Sequence, residues 1–227
     1  MPRKSLETQR RTELTAAAFT MLCEDGLAAT TLTRVAQSVG VTKGMVLHYF
    51  GSKDALFEAV MLYLNAQLRD DMIVMMRHAQ SPIERLFGVI EANFSPSSFQ
   101  PLVCHAWLAL CAEVPQNADY QRIQQILHAR LQSNLASGMA SIETATVRRQ
   151  HAKSLVSLID GLWLRNGLQV EEISREEART LAADWVKRFL PEPDLVQSRA
   201  KQRMRALAET HWPIAGSGSH PADAAQD

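Results

Sequence analysis

Helical periodicity is the feature that most limits what this chain of 227 residues can fold into. Between one glycine or proline and the next, apolar residues recur every three to four positions, as they do on one face of an α-helix. Leu14, Ala18 and Leu22 set this spacing in the first segment. Sustained alternation of apolar and polar residues, which marks a half-buried strand, is almost absent. The sequence therefore predicts an all-α protein.

Residues that cap helices give the expected boundaries. The first helix is predicted from about Ser5 to Asp25, with Gly26 ending it. Ser81-Pro82-Ile83-Glu84 is a capping box with proline at the first helical position, and it opens a helix to about residue 94. The other helices are predicted over about 32–39, 43–50, 53–79, 101–113, 118–137, 144–167, 174–190 and 194–211.

Composition and the positions of glycine and proline predict two folded parts and a tail. Residues 1–52 are expected to form a three-helix head, and residues 53–212 a larger C-terminal helical domain. Residues 213–227 are rich in Gly, Ser, Ala and Pro and are expected to be disordered. The chain begins without an apolar leader and contains no membrane-spanning run, so we expect a cytoplasmic protein. Three cysteines give no disulfide framework.

The segment from residue 31 to residue 50, TLTRVAQSVGVTKGMVLHYF, has the form of a helix-turn-helix. Gly40 can adopt the left-handed conformation that the tight turn needs. Val35, Ala36 and Val46 are placed to pack the two helices together. The opposite face of the second helix is then left for contact with the major groove of DNA, and its residues are Lys43, Gly44, Leu47 and His48.

Flanking residues extend this pattern over residues 14–56. They are Ala17-Ala18, Gly26, Thr30-Thr31, Val35-Ala36, Gly40-Val41-Thr42-Lys43-Gly44, His48-Tyr49-Phe50, Ser52-Lys53 and Leu56. In order and spacing they resemble the DNA-binding head of the TetR family. The resemblance implies phosphate contacts from Thr31, Thr42, Tyr49 and Lys53, and contacts with bases or nearby backbone from Thr33, Lys43, Gly44, Leu47 and His48. Leu47 departs from the family, in which many members carry a tyrosine here.

The C-terminal part is similar to the choline-responsive BetI subgroup of that family. The most specific piece is the run Leu158-Ile159-Asp160-Gly161-Leu162-Trp163-Leu164-Arg165. A quaternary ammonium is held by aromatic faces, often with a carboxylate nearby. Cys111 stands where the subgroup is expected to place a second tryptophan. The ligand-site residues predicted on this basis are Phe94, Trp107, Cys111, Glu113, Tyr120, Asp160 and Trp163.

The resemblance implies a ligand-responsive DNA-binding transcriptional repressor with a C-terminal domain that binds the ligand and dimerises. Such a repressor requires a dimer, since two heads must read the two halves of an inverted-repeat operator. The helices around 154–168 and 176–189 carry apolar residues at helical spacing and are expected to form a four-helix bundle with their copies. The predicted interface residues are Leu155, Leu158, Leu162, Trp185 and Phe189.

Enzymatic and metal chemistry find little support in the sequence. No nucleophile elbow, phosphate-binding loop or dinucleotide fingerprint occurs, and no cofactor is predicted. Cys104, His105 and Cys111 share one predicted helix but lack a fourth ligand, so no metal site is predicted. The partners expected are double-stranded DNA, a small organic effector and a second copy of the chain. A helical small-molecule-binding protein whose head does not bind DNA specifically is the alternative, and a helical enzyme is a third.

Overall fold

The computed structural model describes residues 3–142, 144–170 and 172–212. These residues form ten α-helices and one short 3-10 turn, with no strand among them. Every helix within these ranges is too short or too polar to span a membrane. The predicted tail, 213–227, lies outside the described residues. In chain order the helices are α1 (Arg3–Ala29), α2 (Leu32–Ser38), α3 (Lys43–Phe50), α4 (Lys53–His78), α5 (Pro82–Asn93), α6 (Pro101–Glu113), α7 (Ala118–Gly138), α8 (Ala145–Leu168), α9 (Arg175–Lys187) and α10 (Asp194–His211).

Hydroxyl side chains begin most of the helices that the sequence predicted. Thr31, Thr42 and Ser52 each accept a hydrogen bond from the backbone N–H three residues further on, at the starts of α2, α3 and α4. Ser81 and Ser174 do the same for α5 and α9. These contacts satisfy N–H groups that have no partner inside the helix. The predicted helix starts are accordingly confirmed to within about a residue.

The end of α1 agrees with the prediction. Gly26 adopts φ 79° and ψ 175°, which is not helical, and a short helical stretch to Ala29 follows it. Only glycine tolerates this conformation without strain. Gly26 therefore ends the long run of α1, and its carbonyl accepts hydrogen bonds from the backbone and the hydroxyl of Thr30.

Two apolar clusters organise the described chain. The first, which we call the head cluster, joins α1 to α4 and includes Leu14, Val35, Val46 and Leu56. The second, the body cluster, is centred on α5, where every residue from Leu86 to Asn93 is buried. Whether the two domains meet at residue 52 stays a prediction, since α4 contributes to both clusters.

A glycine lets three helices of the body meet. A Cβ atom built on Gly88 of α5 would lie 2.9 Å from Cε of Met204 in α10 and 3.2 Å from Cβ of Met75 in α4. A larger residue at position 88 would require the flexible end of Met204 to move and Met75 to give way by a few tenths of an ångström. Gly88 thus allows α4 and α10 to pack closely on α5.

A buried ion cluster links α5, α9 and α10. The Arg179 guanidinium lies 2.9 Å from the Glu91 carboxylate, and the two side chains are 6% and 4% exposed. Arg179 also pairs with Glu176, and Arg205 of α10 pairs with both carboxylates. Arg175 donates to the Phe94 carbonyl at the end of α5. Because burial of an unpaired charge is costly, Glu91 is needed to balance the surrounding arginines.

We expect Glu91→Gln to lower the free energy of unfolding by about 3 kcal/mol, because it removes the buried carboxylate and leaves Arg179 and Arg205 to share the more exposed Glu176. The matched control is Asp184→Asn, which makes the same carboxylate-to-amide change at a half-exposed pair with Lys187. It should cost under about 1 kcal/mol. Urea unfolding followed by circular dichroism measures both, and equal losses would show that the cluster is not a special element of stability.

Candidate functional site

The helix-turn-helix forms as its sequence predicts. Gly40 adopts φ 69° in the turn between α2 and α3, and the backbone N–H of Val41 donates to the Ala36 carbonyl at 2.9 Å. Val35, Ala36 and Val46 are buried at the contact between the two helices. Packing of this inner face fixes which side of α3 remains free.

The free side of α3 is open to solvent. Lys43, Gly44, Leu47 and His48 are all exposed, as is Thr33 on α2. A Cβ on Gly44 would meet only the Thr42 hydroxyl, at 3.8 Å, so neither packing nor backbone conformation within the protein requires glycine there. Met45 is also exposed on α3, and sequence reasoning overlooked it.

The residues predicted to contact phosphates surround this face. The hydroxyl groups of Thr31 and Thr42 serve as helix caps, yet both residues remain exposed. Lys53 begins α4, and its Nζ atom lies 5.1 Å from the centre of the Phe57 ring. Tyr49 is half-buried against the head cluster.

Arg11 adds a cation that the sequence did not reveal. Its guanidinium donates to the Tyr49 carbonyl and lies 4.4 Å from the centre of the Phe50 ring. It therefore ties α1 to the end of α3, and only the basic character of the segment before Leu14 could have suggested it.

A cavity of about 330 Å³ opens in the body between α4, α6, α7 and α8. Its size falls at the lower end for small-molecule sites. Much of its wall is aliphatic, with a few polar groups and two tryptophans. The lining consists of Leu62, Leu64, Asn65, Ala66, Leu68, Arg69, Met72, Ile73, Met76, Asn93, Trp107, Gln124, Leu127, His128, Arg130, Leu131, Asn134, Ile159, Asp160 and Trp163.

Three predicted ligand residues meet in this cavity. The rings of Trp107 and Trp163 lie edge to face with centres 5.6 Å apart. The Trp163 indole N–H donates to the Asn93 carbonyl at 3.1 Å, which fixes that ring. Asp160 lies 3.8 Å from the His128 imidazole. Burial raises the pKa of Asp160 above its ordinary value, and His128 opposes that rise.

Two other predicted residues lie behind the cavity wall. Phe94 is fully buried and packs edge to face on Phe99, 5.0 Å between ring centres, so the prediction that it touches ligand is wrong. Cys111 is half-buried, outside the lining, and its Sγ accepts a hydrogen bond from the Gln124 amide at 3.3 Å. Burial raises the pKa of the Cys111 thiol to about 12, with the Asp160 charge adding to the rise. The thiol therefore stays protonated and supports the wall through Gln124.

Glu113 and Tyr120 line a different cavity, of about 500 Å³, between the head and the start of α7. The Tyr120 hydroxyl donates to the Asp54 carbonyl in the first turn of α4 at 3.0 Å. The prediction that Glu113 and Tyr120 contact the same ligand as Trp107 is therefore wrong. Glu113 lies six residues beyond Trp107 on α6, and Tyr120 lies one turn before Gln124, the first cavity residue of α7.

The predicted dimer residues divide between core and surface. Leu155 and Leu162 are buried in the body cluster, so the prediction that they contact a second chain is wrong. Leu158, Trp185 and Phe189 are half-buried at the surface, and the His151 ring stacks on Phe189 at 3.9 Å. Next to them Leu181 and Leu168 are 45% and 52% exposed. We call this surface, together with Gly161 and Leu164, the α8–α9 face.

Comparison with known families identifies the family of this chain. Residues 14–60 match the family described as bacterial regulatory proteins, tetR family, and residues 82–191 match the BetI-type transcriptional repressor, C-terminal. HTH-type transcriptional regulator BetI of Rhizobium meliloti (strain 1021) is 34% identical over 190 residues, which cover 84% of this chain and 94% of that protein. The chain belongs to the TetR family. It is a DNA-binding transcriptional repressor with a BetI-type C-terminal domain.

Other relatives and solved structures agree with this assignment. BetI of Burkholderia mallei (strain NCTC 10229) is 35% identical over 194 residues, 84% of this chain and 98% of that protein. A TetR transcription regulator from Haloarcula marismortui superposes with a TM-score of 0.72 at 20% identity, over 81% of this chain and 99% of that one. A regulator from Pseudomonas aeruginosa PAO1 gives 0.68 at 23% identity, over 87% and 95%. These two structures are evidence for the fold alone.

Proposed function

We propose that this repressor binds an inverted-repeat operator as a homodimer and changes its affinity for DNA when a small organic cation binds in the body cavity. The effector cavity, as we name the 330 Å³ cavity, is the observation that carries the proposal. Two tryptophan rings and one carboxylate converge in it, and both kinds of group attract a quaternary ammonium.

The exposed side of α3 is suited to base recognition in the major groove. Lys43 can donate to the O6 and N7 atoms of guanine, and Leu47 can contact a thymine methyl group. Thr33 and His48 lie beside them, and Gly44 lets the backbone approach the DNA. Phosphate contacts are proposed for Thr31, Thr42, Tyr49 and Lys53 at helix ends around this surface.

We expect Lys53→Ala to weaken binding to every duplex and to reduce the salt slope by about one unit for each protomer of the dimer, because each protomer loses one phosphate contact. Lys43→Ala should instead reduce discrimination between a preferred site and its variants. Anisotropy titrations at several salt concentrations, on a site selected from random duplexes, distinguish the two effects. Wild-type affinity, specificity and salt dependence in both variants would contradict the proposed interface.

The α8–α9 face is proposed to pair with its copy about a two-fold axis. Leu181 and Trp185 lie one turn apart on α9, and Phe189 follows four residues later, just after the end of that helix. The three residues form an apolar stripe beside Leu158 of α8. Leu164 and Leu168 extend this surface towards the end of α8. An apolar face on two adjacent helices suits a four-helix bundle between two chains.

Gly161 allows a sharp test of this pairing. A Cβ at this position meets no atom within 4 Å in one chain, so Gly161→Arg should fold normally and block the dimer. Ala129→Arg, at an exposed position of α7, is the control. Light scattering at micromolar concentration should give a monomer for Gly161→Arg and a dimer for the control and the wild type. A wild-type monomer that still binds DNA would refute the pairing.

Contacts along α7 supply a route from the effector cavity to the head. Gln124, His128 and Leu131 of α7 line the cavity, and Tyr120 in its first turn holds the Asp54 carbonyl of α4. A ligand that displaces α7 would therefore move the start of α4, next to Lys53. Regulation requires that the ligand bind with different affinities to the two states of the dimer, in which the heads are spaced differently. The link through α7 gives a physical reason for such a difference.

Choline is the first cation to try. We expect calorimetry to show binding that Asp160→Asn weakens about tenfold, because a charge-assisted contact is lost. Glu113→Gln, in the second cavity, should leave the affinity unchanged. Because the ionised carboxylate binds the cation and the pKa of Asp160 is raised, affinity should begin to fall on acidification at a higher pH than an exposed aspartate would give. Absence of binding by any quaternary amine would refute this part of the proposal.

A further inference from the structure

The charged side chains around the effector cavity are unevenly placed. Asp160 of α8 faces His128, whereas Arg69 of α4 and Arg130 of α7 line the same cavity. Within the described lining, Asp160 is the one acidic side chain. Arg69 pairs with Asp70, but Arg130 has no such partner in the described ranges, so its guanidinium would weaken the binding of a ligand that carries positive charge alone.

The two arginines lie at the same level on neighbouring helices. The Asn134 amide nitrogen of α7 is 3.8 Å from Sδ of Met72 in α4, and the N-terminal ends of the same two helices are joined by the hydrogen bond from Tyr120 to the Asp54 carbonyl. The helices therefore run side by side in one direction. Arg69 precedes Met72 by three residues and Arg130 precedes Asn134 by four, which is about one turn in each case.

His128 and Arg130 project from opposite edges of the cavity side of α7. Residues two apart on an α-helix differ by about 200° around its axis. His128 turns towards α8, where it meets Asp160, so Arg130 turns towards α4 and Arg69. The cavity thus has a negative and aromatic side at α8 and a positive side at the gap between α4 and α7.

Arg130 is available to bind an anion. It is exposed, and it makes no hydrogen bond or ion pair with any other residue in the described ranges. Arg69 is 56% exposed and pairs with Asp70, its neighbour in sequence. A guanidinium offers two parallel N–H groups that match the two oxygens of a carboxylate, which makes arginine the preferred residue for such a contact.

We infer that the effector is a zwitterion, a quaternary ammonium compound that also carries a carboxylate. Its ammonium group binds against Trp107, Trp163 and Asp160, and its carboxylate binds Arg130 with help from Arg69. The inference rests on the proposed function of the effector cavity and adds the second charge to it. A cation without a carboxylate, such as choline, would contact only the aromatic and negative side of the cavity.

Calorimetry with matched ligands tests this inference. The probes are choline, which lacks a carboxylate, and two trimethylammonium carboxylates, glycine betaine and γ-butyrobetaine. At least one zwitterion should bind the wild type about tenfold more tightly than choline does. Arg130→Gln should remove most of this advantage and leave choline affinity equal or higher. Arg122→Gln, an exposed arginine of α7 outside the lining, is the control and should bind all three ligands as the wild type does.

The outcomes separate this inference from the function on which it rests. If choline binds at least as tightly as both zwitterions, or if Arg130→Gln weakens choline and the zwitterions alike, the carboxylate contact is refuted while the ammonium site stands. If none of the three ligands binds, the ammonium site fails and the inference fails with it.

Discussion

The apolar core of the head is completed by helices of the body. Ala106 and Leu110 of α6, with Tyr120 and Ile123 of α7, are buried in the same cluster as the residues of α1, α2 and α3. A head of about fifty residues buries too little surface to be stable without such support. The same packing joins the head to the walls of the effector cavity, so under the proposed function stability and regulation depend on one set of contacts.

The sequence predicted helix boundaries well because capping is local chemistry. A hydroxyl that accepts a backbone N–H three residues away acts within one turn, and the positions of Thr31, Thr42 and Ser81 were enough to locate three helix starts. The helix-turn-helix was predictable for the same reason, since Gly40 and the buried Ala36 determine it within a short segment. Gly26 was predictable for a related reason, because its positive φ breaks the helical geometry at that residue.

The cavity and the dimer surface could be predicted only in part, because periodicity identifies apolar residues without saying what covers them. On α8, Leu155 and Leu162 face the body cluster while Leu158 lies at the surface, yet all three follow one helical spacing. Phe94 and Trp163 are both buried aromatics, and only the fold shows that one of them borders the cavity. Arg69 and Arg130 gave no sequence signal, since exposed arginines on helices are ordinary.

Helix α10 lies beyond the segment that matches the BetI-type family, which ends at residue 191. It is nonetheless an integral layer of the body, with Met204 inserted over Gly88 and Arg205 beside the Glu91 carboxylate. A helix packs this closely only where the residue beneath it is small, as Gly88 is. A chain that ended at residue 191 would therefore leave the side of α5 that Met204 covers open to solvent.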